Sequence, residues 1–151
     1  MPPLPKIHAA AGAVAMLLIA GLQLTLLRHE LAGLPTETAP LRAGILWVVI
    51  LGLLPAMAVA GGSGAKLARG ALSPWVARKM ARMKRIAALG LGLLVPLAVL
   101  LAWLAAQGRI GAGFVALTQL ERLAALTNLV LLGLNMRDGL GRARSRAAAS
   151  R

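Results

Sequence analysis

Residues 118–140 read TQLERLAALTNLVLLGLNMRDGL. This stretch is long and apolar enough for a membrane-spanning helix, yet it keeps charged and amide side chains in its interior. At about 100° of rotation per helical residue, Glu121, Asn128, Asn135 and Asp138 fall within one narrow stripe. The stretch therefore predicts a transmembrane helix with one polar face.

Three further apolar blocks precede this one, and each can cross about 30 Å of hydrocarbon at about 1.5 Å per helical residue. The predicted spans cover about residues 7–27, 41–60, 86–106 and 113–134. With 59% hydrophobic residues, a soluble domain would have too little polar surface to avoid aggregation. We therefore predict an all-α integral membrane protein, with four transmembrane helices in an up-down bundle over residues 1–140.

The distribution of charge predicts how the bundle is oriented. The chain has 17 Lys or Arg residues against 4 acids, a balance that suggests nucleic-acid binding in a soluble protein. Here the cations cluster at the ends of the apolar blocks, so we predict no nucleic-acid partner. Most of them lie on the side of the bundle that holds both termini. The positive-inside rule then predicts that both termini are cytoplasmic.

Composition adds the compartment and excludes some chemistry. The preference for Arg over Lys and the abundance of Ala, Gly and Leu suggest a GC-rich bacterial genome, and hence the bacterial inner (cytoplasmic) membrane. The absence of Cys excludes disulfides and thiolate catalysis. Residues 141–151 are predicted to form a mobile basic cytoplasmic tail.

Residues 74–85, PWVARKMARMKR, predict an amphipathic basic helix at the start of span three. Ser73 can cap this helix and Pro74 suits its first turn. Val76 and Met83 share one face, and cations cover the other, which favours a bilayer surface with anionic headgroups. The alternative is a docking surface for an acidic partner. The predicted headgroup contacts are Arg78, Lys79, Arg82, Lys84 and Arg85.

Small residues and prolines predict how the spans pack. In span two, a Gly or Ala recurs every four residues from Gly52 to Gly64, which suits close helix contact within the chain or, alternatively, in a dimer. Pro55 and Pro96 lie near the middle of spans two and three. Because proline lacks an N–H group and collides with the preceding turn, it tends to kink its helix. The alternative is that each proline is tolerated inside the bundle.

The polar face of span four needs a partner. An unpaired carboxylate at Glu121 would cost about 3 kcal/mol or more in the membrane. Gln23 of span one lies at a similar predicted depth, and burial favours the neutral form of a carboxyl group. We therefore predict that Glu121 is mostly protonated, faces Gln23 and has a structural role; a proton or solute path is the alternative. The predicted intramembrane polar stripe consists of Gln23, Thr118, Glu121, Asn128, Asn135 and Asp138.

The sequence contains no pattern of an enzyme or a cofactor site. His8 and His29 lie at opposite ends of span one, about 30 Å apart, and cannot share one metal or haem within the chain. We therefore predict no catalytic residue, metal or cofactor. The expected function is a non-catalytic helper or subunit of a larger membrane assembly, with a membrane-protein partner or a second copy. The alternatives are a small proton-linked transporter or channel subunit using Glu121, and a haem- or quinone-binding anchor of a redox complex.

Overall fold

The computed structural model describes residues 3–33, 35–69 and 73–149, with side chains as far as Gly141. Within these ranges all regular structure is helical and no strand occurs. Each long helix is apolar enough to cross a membrane, the last one as far as Gly141. The predicted all-helical fold with four candidate membrane spans is confirmed. The helices are α1 (Leu4–Ala32), α2 (Pro35–Ala68), α3 (Pro74–Ala106) and α4 (Ala112–Ala149).

The helices are longer than the predicted spans, and two of their ends show why they start or stop there. Helix α1 ends at Gly33, whose φ of 62° is easily adopted only by glycine. Helix α3 begins where the Ser73 hydroxyl accepts the Val76 N–H at 3.3 Å, the predicted cap. Helix α4 continues to Ala149, so most of the predicted tail has a helical backbone. The last two residues of the tail lie outside the described ranges, and its mobility stays a prediction.

Consecutive helices are antiparallel neighbours, and α4 closes the bundle by contacting α1 as well as α3. Buried apolar side chains from all four helices fill the centre, among them Ile19, Ile45, Leu101 and Ala125. We call the end that holds the start of α1 and the C-terminus of α4 the basic end. The other end, where α1 joins α2 and α3 joins α4, is called the opposite end.

The small-residue face of α2 packs closely on α1. A Cβ atom on Gly52 would lie 3.3 Å from Leu18 Cδ1, and one on Gly64 would lie 2.9 Å from His8 Cε1. Both distances are too short for a larger residue without movement of the neighbour. The His8 ring is held there by Nδ1, which lies 2.9 Å from the carbonyl oxygen of Ala60. This face therefore serves packing within the chain, the first of the two predicted uses.

Both prolines follow a wide π-helical turn. Helix α2 is π-helical over Val49–Leu53 and α3 over Gly90–Leu94, shortly before Pro55 and Pro96. A π turn bonds each N–H to the carbonyl five residues earlier and widens the helix, which makes room for a proline ring. The sequence did not predict these π-helical turns, and a kink at either proline stays a prediction. The two turns face each other across the bundle, because residues of both line one internal cavity.

The outside of the bundle is apolar. One leucine from each helix, Leu17, Leu51, Leu91 and Leu123, is between 57% and 72% exposed. In water such a surface would cause aggregation, whereas lipid tails match it. By length, composition and surface, the four helices are candidate membrane spans, which suggests a multi-pass membrane protein.

Candidate functional site

The polar face of α4 points into the bundle. Glu121, Asn128 and Asn135 are only 5%, 0% and 6% exposed, whereas Leu123 and Val130 on the other side of the helix are more than 60% exposed. Buried ionisable and amide groups are rare in membrane helices, because lipid offers them no hydrogen bonds. The buried face of α4 is therefore where a function is to be sought.

Glu121 forms a buried ion pair with Arg42 of α2. The Arg42 Nη1 atom lies 2.5 Å from Glu121 Oε2, and Nη2 donates to Thr118 Oγ1 at 2.8 Å. The guanidinium group also lies 5.4 Å from the centre of the Phe114 ring, a cation–π distance. Both charged side chains are almost fully buried, with 3% and 7% exposure. Arg42 is therefore the cationic partner of Glu121. Thr118 and Phe114 in turn hold the Arg42 guanidinium group in place.

This pair corrects the predicted environment of Glu121. The sequence predicts a neutral carboxyl facing Gln23, but no bond between these two side chains occurs in the described part of the chain, and Arg42 is the partner. The predicted span two begins at residue 41, which puts Arg42 at the surface of the membrane. Helix α2 begins at Pro35, so Arg42 lies about 10 Å into it, a depth similar to that of Glu121 in α4.

A cavity of about 250 Å³ opens at the opposite end of the bundle. Arg42, Thr118, His29 and Arg122 contribute to its polar lining. The His29 Nε2 atom lies 3.0 Å from Thr38 Oγ1, and Arg122 forms an ion pair with Glu30. We call this cavity the vestibule. Its polar lining consists of His29, Glu30, Thr38, Arg42, Thr118, Gln119 and Arg122.

A second, smaller cavity lies deeper, between the two π turns. Its volume of about 40 Å³ is enough for two or three water molecules. Its polar lining is Gln23, Glu121 and Asn128, and the rest is apolar. We call it the inner cavity. Arg42 lines the vestibule and Glu121 lines the inner cavity, so the ion pair forms the partition between the two spaces.

Three buried polar atoms along this line have no protein partner in the described part of the chain: Gln23 Oε1, Asn128 Oδ1 and Asn135 Nδ2. The other end of the Asn128 amide makes only a long 3.5 Å contact with the Ile86 carbonyl oxygen. A buried polar atom without a partner costs about 1–3 kcal/mol. These amides are therefore poorly explained as bonds between helices, and they remain free to bind water or a transported group.

The line ends in a second arginine–carboxylate pair at the basic end. Arg82 Nη1 lies 2.7 Å from Asp138 Oδ2 and 3.3 Å from Asn135 Oδ1. Both members of this pair are about one-fifth exposed, so water reaches it. Glu121 and Asp138 are 17 positions apart, about 25 Å along the helix. Polar groups on α4 thus extend over most of the thickness of a hydrocarbon layer.

The position of Arg82 corrects another prediction. The sequence grouped it with the headgroup-binding cations, but its guanidinium group is turned toward α4. Lys79 lies over the Trp75 ring at 5.4 Å. The other three cations of the group are exposed on the surface, where lipid contact stays a prediction. They are Arg78, Lys84 and Arg85.

The site offers acid–base chemistry and hydrogen bonding. In the ranges that the structure describes, no three His, Asp or Glu side chains come together as metal ligands. No protein-family model, curated protein or solved structure matches the chain.

Proposed function

We propose that this chain is a small, non-catalytic multi-pass membrane protein in which the polar face of α4 carries protons across the bundle, with Glu121 as the proton-binding group. The observation that carries the proposal is the set of three unpartnered buried atoms on Gln23, Asn128 and Asn135, between two carboxylates. A carboxylate can take up and release a proton, and amides with bound water can relay it.

The unpartnered atoms favour a path over a purely structural seam. Side chains that join membrane helices do so by completing hydrogen bonds with one another. Here Asn128 is fully buried, yet its oxygen has no donor within the described chain. A group that remains unpaired at a cost to stability is better explained by function. The sequence predicts a structural role for Glu121, with a proton path as the alternative. The proposed function adopts that alternative.

The Arg42–Glu121 pair serves as the gate of the proposed path. When the pair is closed, Glu121 reaches only the inner cavity and Arg42 reaches only the vestibule. When it opens, Glu121 can receive a proton from the vestibule and pass it to the inner cavity, then past Asn128 and Asn135 to Asp138. Arg42 stays protonated throughout, because guanidinium does not release a proton in proteins, and its charge repels other cations.

Proton flux into liposomes tests this function. We expect the purified protein in liposomes with a potassium-driven potential to take up protons faster than protein-free liposomes, as reported by an enclosed pH dye. Glu121→Gln should reduce the flux to the protein-free level, because an amide cannot bind and release a proton. Glu37→Gln is the matched control and should keep the flux, since Glu37 is exposed and lines neither cavity. Equal fluxes for wild type and Glu121→Gln would refute the path.

We further propose that the protein lies in a bacterial cytoplasmic membrane with both termini in the cytoplasm. The support is the excess of Lys and Arg at the basic end. Because the chain has no Cys, single cysteines can report the side of each end. An impermeant thiol reagent should label Gly111→Cys but not Ala65→Cys in cells whose outer membrane has been permeabilised and whose inner membrane is intact. The reverse labelling pattern would invert the topology.

The other functions expected from the sequence stay predictions. A subunit of a larger assembly would co-purify with one defined partner. A haem-binding anchor would show a Soret band after purification, but both histidines already have polar partners, His8 on Ala60 and His29 on Thr38. No observation in the structure favours either function over the proton path.

A further inference from the structure

We infer that the vestibule binds a small organic anion, a carboxylate or sulfonate with a short apolar group, and that this anion replaces Glu121 as the partner of Arg42. The inference rests on the proposed proton path and supplies a group that would hold its gate open for a larger share of the time. The charge of the vestibule, the shape of the Arg42 site and the size of the cavity support it independently.

The charged groups that line the vestibule favour an anion. They are Arg42, Arg122 and Glu30, together with His29. Glu121, which neutralises Arg42, lies on the inner side of the partition and does not line this space. The lining itself thus holds two arginines and one carboxylate, Glu30, which is paired with Arg122. An anion that enters can therefore reach Arg42 from the vestibule side and compete there with Glu121.

The Arg42 guanidinium group in the vestibule lining is suited to binding an oxyanion. Phe114 and Thr118 hold the Arg42 guanidinium group in place from α4. Guanidinium carries five N–H donors in a planar fork. The contacts to Glu121 and Thr118 use only some of these donors. Carboxylate and sulfonate oxygens match this fork in spacing and charge. An oxyanion above Arg42 therefore competes directly with Glu121 for the same donors.

The size and walls of the vestibule limit the rest of the ligand. Its volume of about 250 Å³ lies below the range of about 300–1,000 Å³ typical of pockets for drug-sized molecules. Leu26, Ile110, Phe114 and Val115 supply apolar wall. A ligand with one anionic group and a short apolar part, such as a benzene ring, fits both conditions.

Anion binding should be linked to uptake of one proton. Once Arg42 has turned to the anion, Glu121 is a buried carboxylate without a cation, and protonation removes that cost. The other elements around Glu121 offer no substitute. Helix α1 contributes neutral Gln23, with His29 and Glu30 in the vestibule, and α3 lines the inner cavity with apolar residues and Gly90. On α4 itself, Arg122 is already paired with Glu30.

Calorimetry on the full-length protein in lipid nanodiscs tests this site, with sodium benzenesulfonate as the probe. Sulfonate stays charged at every working pH, so any pH dependence comes from the protein. We expect wild type to bind benzenesulfonate and not neutral benzenesulfonamide. Titrations in two buffers of different ionisation enthalpy should show uptake of about one proton, and the affinity should fall by up to about tenfold per pH unit as the pH rises.

Two variants separate the roles of the pair. Glu121→Gln should still bind the probe but lose the proton uptake and the pH dependence that Glu121 contributes, because no carboxylate competes. The double variant Arg42→Gln/Glu121→Gln, which buries no charge, should fold and lose binding. Equal binding of the sulfonamide, binding by the double variant, or no binding by wild type would overturn the inference.

Failure of this site and failure of the proton path have different signatures. If wild type conducts protons through Glu121 but does not bind benzenesulfonate, the anion site is wrong and the path stands. If benzenesulfonate binds with proton uptake but the protein conducts no protons, the vestibule site stands and the path across α4 is wrong.

Discussion

We expect Arg42→Gln to lower the free energy of unfolding by about 3–5 kcal/mol, because it leaves the Glu121 carboxylate buried without its cation. Glu121→Gln should cost less, about 1–3 kcal/mol. The Gln oxygen can still accept from Arg42, and Arg42 borders the vestibule, which is open at the opposite end. The double variant should regain most of the stability lost in Arg42→Gln, because no charge is then buried alone.

The measurement is a double-mutant cycle, read from unfolding in mixed detergent or from melting temperatures in one detergent. The matched control is the pair at the basic end, where Arg82 and Asp138 are each about one-fifth exposed. Water screens this pair, so neutralising Arg82 should change stability by only about 0–1 kcal/mol. Additive losses at Arg42 and Glu121, with the double variant the least stable of the three, would show that the two residues are not coupled.

The second large effect is expected at Asn128, where a substitution should increase stability. Asn128 is fully buried, its oxygen has no donor in the described chain, and its nitrogen makes one long contact. Leu has the same branching as Asn and no polar atoms. Asn128→Leu should therefore remove an unpaired group that costs about 1–3 kcal/mol and raise the melting temperature. If Asn128 were a structural bond between α4 and α3, the same variant would melt at a lower temperature.

Much of the fold followed from periodicity and length. Apolar blocks of sufficient length gave the four helices, a seven-residue spacing gave the polar face of α4, and Ser73 gave the start of α3. Pro55 and Pro96 lie close to the places where α2 and α3 depart from regular geometry. These features are local, because each depends on residues within a few turns of one helix.

The partners of the buried charges could not be obtained in this way. Helices α2 and α4 are not consecutive in the up-down order. A prediction from adjacent helices therefore pairs Glu121 with Gln23 of α1, whereas the partner in the structure is Arg42 of α2. The rotation of each helix decides such a pairing, and all the packing contacts of the bundle set that rotation together. One sequence signal was present: two opposite charges at similar depth in two apolar helices. The predicted start of span two at residue 41 hides this signal, because it puts Arg42 at the membrane surface instead of inside the helix.

The most direct test of the proton path is the proton flux of Asn128→Leu in liposomes, measured on the preparation used for its melting temperature. Asn128 lies between Glu121 and Asp138 on the buried face and lines the inner cavity. A Leu there leaves the Arg42–Glu121 pair intact but removes the amide from the middle of the line. If protons follow this path, we expect a more stable protein whose proton flux falls to that of protein-free liposomes. A less stable variant that conducts as fast as wild type would contradict it.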